Sequence, residues 1–305
     1  MKIALLIALA VLCAGFIIVW VSYLLRGRRA GTKDAADTTA NFPIQLGVGF
    51  FANFMDTLGV GSFAITSSIY KLLNLIPDDL IPGTMNVGHA LPTVAEALIF
   101  VAVIDVEFKT LVAMIVAAVL GAWLGAGIVC GWPKRRIQIG LGLALAAAAV
   151  LMFSQIIRNP SGGLALGLSG PKLWIAVAAN FMFAAFQQLG VGLYAPCMIL
   201  IGLLGMNIKA AFPIMMGSCA FLMPVGSMRF IRGNRYSPKA AVGLTLGGIP
   251  GVLIAAYIVK SLPVLYVKWL VVFVVLYTSI MLLRSAAKET VEADRASKAS
   301  GPAAQ

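Results

Sequence analysis

Seven stretches of the chain, at about 3–25, 84–104, 110–130, 137–156, 210–228, 240–260 and 265–283, stay apolar over a length that crosses a hydrocarbon layer of roughly 30 Å. No water is present at that depth to satisfy peptide groups, so each run has to close its own hydrogen bonds as a helix. The expected fold class is an all-α polytopic membrane protein, and a composition of 61% hydrophobic against 11% charged residues excludes a water-soluble domain. The run at 3–25 is too long for a secretory h-region, has no small-x-small cleavage site before its arginines, and carries its charge on the wrong flank. It is read as a retained anchor.

Two further apolar stretches, 43–75 and 171–205, are each broken near the middle by almost the same five letters, LGVGS at 58–62 and LGVGL at 189–193. The halves have about 14 to 18 residues, roughly 21 to 27 Å at 1.5 Å per residue, which is short of a full span. Re-entrant hairpins with glycine tips near mid-bilayer fit better than complete helices. Irregular backbone at that depth is tolerated where it is buried in protein or lines a polar cavity.

The net charge of +12 would point to nucleic acid if its cations were spread over one surface. They are not. Arg26, Arg28, Arg29, Lys33, Lys71, Lys134, Arg135, Arg136, Arg229, Arg232, Arg235, Lys239, Arg284, Lys288, Arg295 and Lys298 all fall in segments that one topology puts in the cytoplasm. That topology has the amino terminus outside and the carboxyl terminus inside a bacterial inner membrane. It also requires 43–75 to begin and end inside, and 171–205 to begin and end outside. The expected partners are the lipid bilayer and a small solute, with no nucleic acid; a homodimer is compatible with the sequence.

The duplication extends past the tips. At the same offset Leu73 falls on Leu204, Pro82 on Pro213 and Met85 on Met216; later Gly121 and Gly125 match Gly247 and Gly251. Three spanning helices follow each hairpin, so the second copy is inverted relative to the first, an arrangement typical of secondary transporters. The expected organisation is an anchor at 1–30, a cytoplasmic linker at 31–42, a first repeat at 43–156, an external linker at 157–170, a second repeat at 171–285 and a charged tail at 286–305.

The stretches FFANFMDTLGVGSFAITSSIYKLL and IPGTMNVGHALP, echoed by FAAFQQLGVGLYAPCMILIGLLGMNIKAAFPIMMGSCAFLMP, resemble the sulfite exporter TauE/SafE family of small bacterial transporters. The resemblance covers roughly 43–285. It implies transport of sulfite, organosulfonates or related small sulfur anions by a fold of two repeats. The tips are less glycine-rich than the family's, and the anchor lies outside the repeat.

The residues support an anion site independently. Helices starting at 62 and 193 would point unpaired N–H groups and positive dipole ends into the membrane interior. Gly59, Gly61, Gly190 and Gly192 allow tight turns and close approach, and Ser62 and Tyr194 add hydroxyl donors. Gln187 is the repeat counterpart of Asp56. Asn86, His89, Thr93 and Glu96 step along one helical face, so Asn86 joins the expected substrate contacts. Asp56, His89 and Glu96 are the expected proton- or ion-coupling groups, because intramembrane ionisable residues are costly and are kept for function. Asp56 has a plainer alternative as a helix cap, and His89 with Glu96 as an interhelical hydrogen-bonding pair. Gly121, Gly125, Gly247, Gly248 and Gly251 are read as packing residues.

Cys13, Cys130, Cys197 and Cys219 lie in apolar segments without CxxC spacing, so neither metal nor cofactor is expected. One histidine and no metal-type grouping also argue against an enzyme. The reading is a secondary transporter of a small anion working by alternating access, with proton coupling. An anion channel or a non-transporting membrane assembly factor is the alternative.

Overall fold

The computed structural model describes residues 2–29, 41–125, 134–158, 163–187 and 192–299. Eleven α-helices are found among them: α1 (Lys2–Arg29), α2 (Phe42–Thr57), α3 (Ser62–Leu73), α4 (Ile81–Val103), α5 (Phe108–Leu120), α6 (Lys134–Arg158), α7 (Gly170–Gln187), α8 (Tyr194–Leu203), α9 (Ala211–Arg232), α10 (Pro238–Ser261) and α11 (Val264–Ala299). Short 3-10 turns, Asp78–Leu80 and Ile208–Ala210, lead into α4 and α9, and a π turn, Gly121–Gly125, extends α5. The chain is an all-α membrane protein. Five segments, Lys2–Arg26, Ile81–Val103, Ile208–Arg232, Pro238–Val259 and Leu265–Ala287, are long and apolar enough to cross a bilayer. The expected spans at 110–130 and 137–156 contain shorter apolar helices, Phe108–Leu124 and Gln138–Ser154.

Both interrupted segments are helix pairs. The first breaks between Thr57 and Ser62; of the second break, only Gly192 and Leu193 belong to the described residues. At 1.5 Å per residue, α2 is about 24 Å long, α3 about 18 Å, α7 about 27 Å and α8 about 15 Å. The last turns of α3 and α8 end alike: Asn74 and Gly205, equivalent positions in the repeat, both take left-handed conformations, with φ of 48° and 90°.

The packing exchanges elements between halves. α2, the first helix of the first half, lies along α10; α7, the first of the second half, lies along α5 and its π turn. Likewise α4 packs on α10 and α9 on α5, while α4 meets α9 and α6 meets α11. Glycine makes the close approaches possible. A side chain at Gly247 would strike the backbone oxygen of Leu46, one at Gly251 that of Phe50, and one at Gly121 that of Phe181. α1 rests on α4 and α9 through Leu9, Phe16 and Trp20, with Ile3, Ile7, Val11 and Ile18 facing outward.

Proline also shapes α4. Pro92 has no N–H, so the Gly88 carbonyl loses its helical donor, and Thr245 Oγ1 from α10 donates to it instead at 2.7 Å. The loops sort into two ends. Lys2 Nζ donates to Asp105 Oδ1 at 2.8 Å and to Ile104 O at 3.3 Å, Glu107 N to Leu166 O, and Asn207 N to Ala165 O. At the opposite end of α4, Ser237 N donates to Thr84 Oγ1 at 2.9 Å.

Candidate functional site

Polar side chains gather where the last turn of α2 and the first turn of α3 meet the middle of α4. Gly59 and Gly61 have φ of 96° and 92°, a region L side chains rarely adopt, and these two positions turn the chain between the helices. Gly61 occupies the N-cap of α3 and has no side chain to cap it. Asp56 does so from five residues upstream: Ser62 N donates to its Oδ1 at 2.8 Å and Ser62 Oγ to its Oδ2 at 3.0 Å. The helix end expected to stand open for an anion therefore already holds a carboxylate, the interaction a positive dipole end favours.

His89 and Glu96 lie on one face of α4 but have different partners. Asn53 Nδ2 donates to Gly49 O at 2.7 Å, so its Oδ1 is left to accept from His89 Nδ1 at 3.1 Å. Thr66 Oγ1 then donates to His89 Nε2 at 2.9 Å. Both ring nitrogens are satisfied in the neutral imidazole, with the proton on Nδ1. Glu96 is fully buried and reaches across the molecule: Tyr194 Oη donates to its Oε2 at 3.2 Å. Thr57 Oγ1 lies 2.8 Å from both Glu96 Oε1 and Asn53 O. One hydroxyl proton cannot fully serve two acceptors, so this contact is complete when Glu96 carries a proton and donates to Thr57, which then donates to Asn53 O.

Beside these groups lies a cavity of ≈ 40 Å³, room for a few waters or one small ion. Its polar wall comes from Asp56, Ser62, Thr93, Gln187, Tyr194 and Thr278, which sit on α2, α3, α4, α7, α8 and α11; Phe63, Leu193 and Met223 form much of the rest. Among the described residues, neither Lys nor Arg lines it. Two of the hydroxyls have no partner among the described residues: Thr93 Oγ1, on a side chain 1% exposed, and Thr278 Oγ1. Buried polar atoms usually find partners, so two unpaired hydroxyls on one cavity mark a place for a polar occupant.

The residues singled out in the sequence divide accordingly. Asp56, Gly61, Ser62, Gln187, Gly192 and Tyr194 line the cavity. Gly59 belongs to the turn but faces Met198, and Gly190 lies outside the described residues. Asn86 stands apart, half-buried, with its Nδ2 donating to Pro82 O of its own helix at 2.9 Å. Gln187 Oε1 accepts from Cys219 Sγ at 3.4 Å. The two tips also differ. Gly192 has no positive φ, and Pro196 removes one N–H from the first turn of α8, which has no side-chain cap. Sequence reasoning passed over Asn53, Thr57, Thr66 and Thr278. The first three sit within five residues of a named ionisable group or tip glycine, whereas Thr278 stands next to Ser279 in a long apolar helix.

No family model matches the chain, no curated protein is similar to it, and no solved structure matches it. Function is therefore read from the cavity.

Proposed function

We propose that the protein is a secondary transporter of a small anion, of the sulfite or organosulfonate class that its resemblance to the TauE/SafE family implies. In this reading two inverted repeats alternate the access of one central site, with the amino terminus outside the inner membrane and the carboxyl terminus in the cytoplasm. The single observation that carries it is the cavity between the two helix breaks, lined by both halves, with hydroxyls unpaired and no fixed cation among the described residues. A site of helix ends and hydroxyls offsets a monoanion without the grip of a buried Arg or Lys, which suits a carrier that must release its cargo.

Two further features support the repeat. The helices exchange partners between halves in matching pairs, and equivalent residues Asn74 and Gly205 share a left-handed conformation. Asp56, Glu96 and His89 give the same region its titratable groups, and Thr57 gives Glu96 a place for a proton. The test is reconstitution into liposomes with sulfite, sulfate, thiosulfate, small sulfonates and carboxylates, with and without a pH gradient. A carrier gives saturable flux and counterflow for one class of anion. Non-saturating conductance indicates a channel, and no flux of any anion overturns the transport reading.

A further inference from the structure

We propose that Asp56 keeps the place of the transported anion: its carboxylate caps α3 in the empty carrier and gives up the Ser62 donors to the substrate on taking a proton from the side the anion enters. One anion and one proton then move together. This rests on the transport reading above and assigns its coupling group.

Three features of the site lead there. The backbone N–H and hydroxyl of Ser62, the donors an oxyanion would use at the start of α3, are both engaged by one carboxylate. That carboxylate lines the cavity, so it sits in the substrate's space rather than behind it. The same cavity holds two hydroxyls with no partner among the described residues, Thr93 Oγ1 on a side chain 1% exposed and Thr278 Oγ1. A hydroxyl both donates and accepts, so either can bond an anion oxygen or receive the proton of a neutral Asp56 carboxyl.

Charge makes the two occupants exclusive. A helix end supplies about half a positive charge, which offsets part of one anion and leaves nothing for a second, and among the described residues neither Lys nor Arg lines the cavity to make up the difference. An entering monoanion therefore requires Asp56 to be neutral. The titratable groups that face Asp56 are Glu96 on α4, Tyr194 on α8 and Cys219 on α9. The side chains that α3, α7 and α11 add to the cavity, Ser62 with Phe63, Gln187 and Thr278, do not titrate, and among the described residues α10, packed along α2, adds none to it. Glu96, paired with Thr57 and Tyr194 rather than with a helix end, is placed to pass the proton rather than to compete with the substrate.

The test uses radiolabelled methanesulfonate, a monoanion whose own charge is constant across the neutral range, with sulfite as a second probe. In the purified wild-type protein, equilibrium binding should weaken by about tenfold per pH unit once Asp56 is ionised, the slope of a single linked proton. Asp56→Asn should bind with no such slope. In liposomes the variant should still exchange labelled for unlabelled methanesulfonate but fail to accumulate it in response to an inward proton gradient. Gradient-driven accumulation by Asp56→Asn, or a binding slope equal to the wild type's, overturns the proposal while leaving a transporter. If the variant does not fold, the wild-type slope decides alone: binding that is flat with pH overturns the proposal. A wild-type protein that neither binds nor moves methanesulfonate or sulfite overturns both the proposal and the transport reading beneath it.

Discussion

At the scale of single residues, the site depends on how buried polar atoms are satisfied in a medium without water. The carbonyl of Gly88, freed by Pro92, depends on the Thr245 hydroxyl. Thr245→Val keeps the side-chain shape and removes the donor, so it should destabilise the protein by about 1–3 kcal/mol, read as a lower midpoint of thermal unfolding in detergent. An unchanged midpoint would mean that another donor reaches that carbonyl. Glu96 has a different part. Because Thr57 holds one proton between Glu96 Oε1 and Asn53 O, the glutamate has a built place for a second proton. Glu96→Gln fills that place permanently with an amide. It should flatten the pH dependence of the transport rate, whereas the slope of equilibrium binding with pH, which belongs to Asp56, should persist. Loss of the binding slope in Glu96→Gln would move the coupling role from Asp56 to Glu96.

At the scale of elements, the glycines fall into two kinds that the five-letter repeat makes look alike. Gly61, at φ 92° with nothing within 4 Å of an added Cβ, is needed for its backbone conformation, not for space. Gly61→Ala should therefore cost at least about 1–2 kcal/mol in folded stability. Gly192 has open space and no positive φ, so Gly192→Ala should leave the unfolding midpoint where it is. Equal losses in the two variants would show that the tips share one conformation after all. Gly247 and Gly121 are needed for space: an alanine there meets the backbone of Leu46 or Phe181, which cannot move aside as a flexible side chain can. Gly247→Ala should reduce the monodisperse yield in size-exclusion chromatography far more than Gly140→Ala, whose Cβ meets nothing within 4 Å.

At the scale of the whole molecule, loop contacts divide the chain ends into two sets. One contains Lys2, Ile104 to Glu107, Ala165 to Leu168 and Asn207; the other contains Thr84 and Ser237 beside the basic 229–239 segment. The proposed orientation puts the second set in the cytoplasm. With the native cysteines replaced, Arg235→Cys should be labelled by a membrane-impermeant maleimide only in inverted vesicles, and Ser169→Cys only in intact cells. The opposite pattern would reverse the topology, and labelling of both from one side would end the inverted-repeat reading. Within the outer set, the Lys2 ammonium holds the Asp105 carboxyl below its ordinary range, chiefly through their hydrogen bond. This exposed contact favours the folded state above the unfolded pKa of Asp105 and fades as pH falls through the folded value.

Much of this was readable from local sequence. Apolar runs of membrane length specify helices because hydrocarbon permits no unpaired peptide groups. Gly-Val-Gly stops a helix because its glycines can leave the right-handed region, as Gly59 and Gly61 do, and the start of α3 at Ser62 follows from the tip. An ionisable residue in an apolar run marks a site because it must be paired, and Asp56, His89 and Glu96 are all paired in the structure. What only the tertiary structure decided is direction. Asn86 shares a helical stripe with His89 and Glu96, yet it turns back to Pro82 while they face α2, α3 and α8. Thr278 enters the cavity more than two hundred residues away from Asp56, and Asp56 itself bends back to cap the helix that follows it. Such placements depend on how each helix is rotated against its neighbours, and that rotation is set by glycine contacts such as Gly247 on Leu46, between elements far apart in the chain.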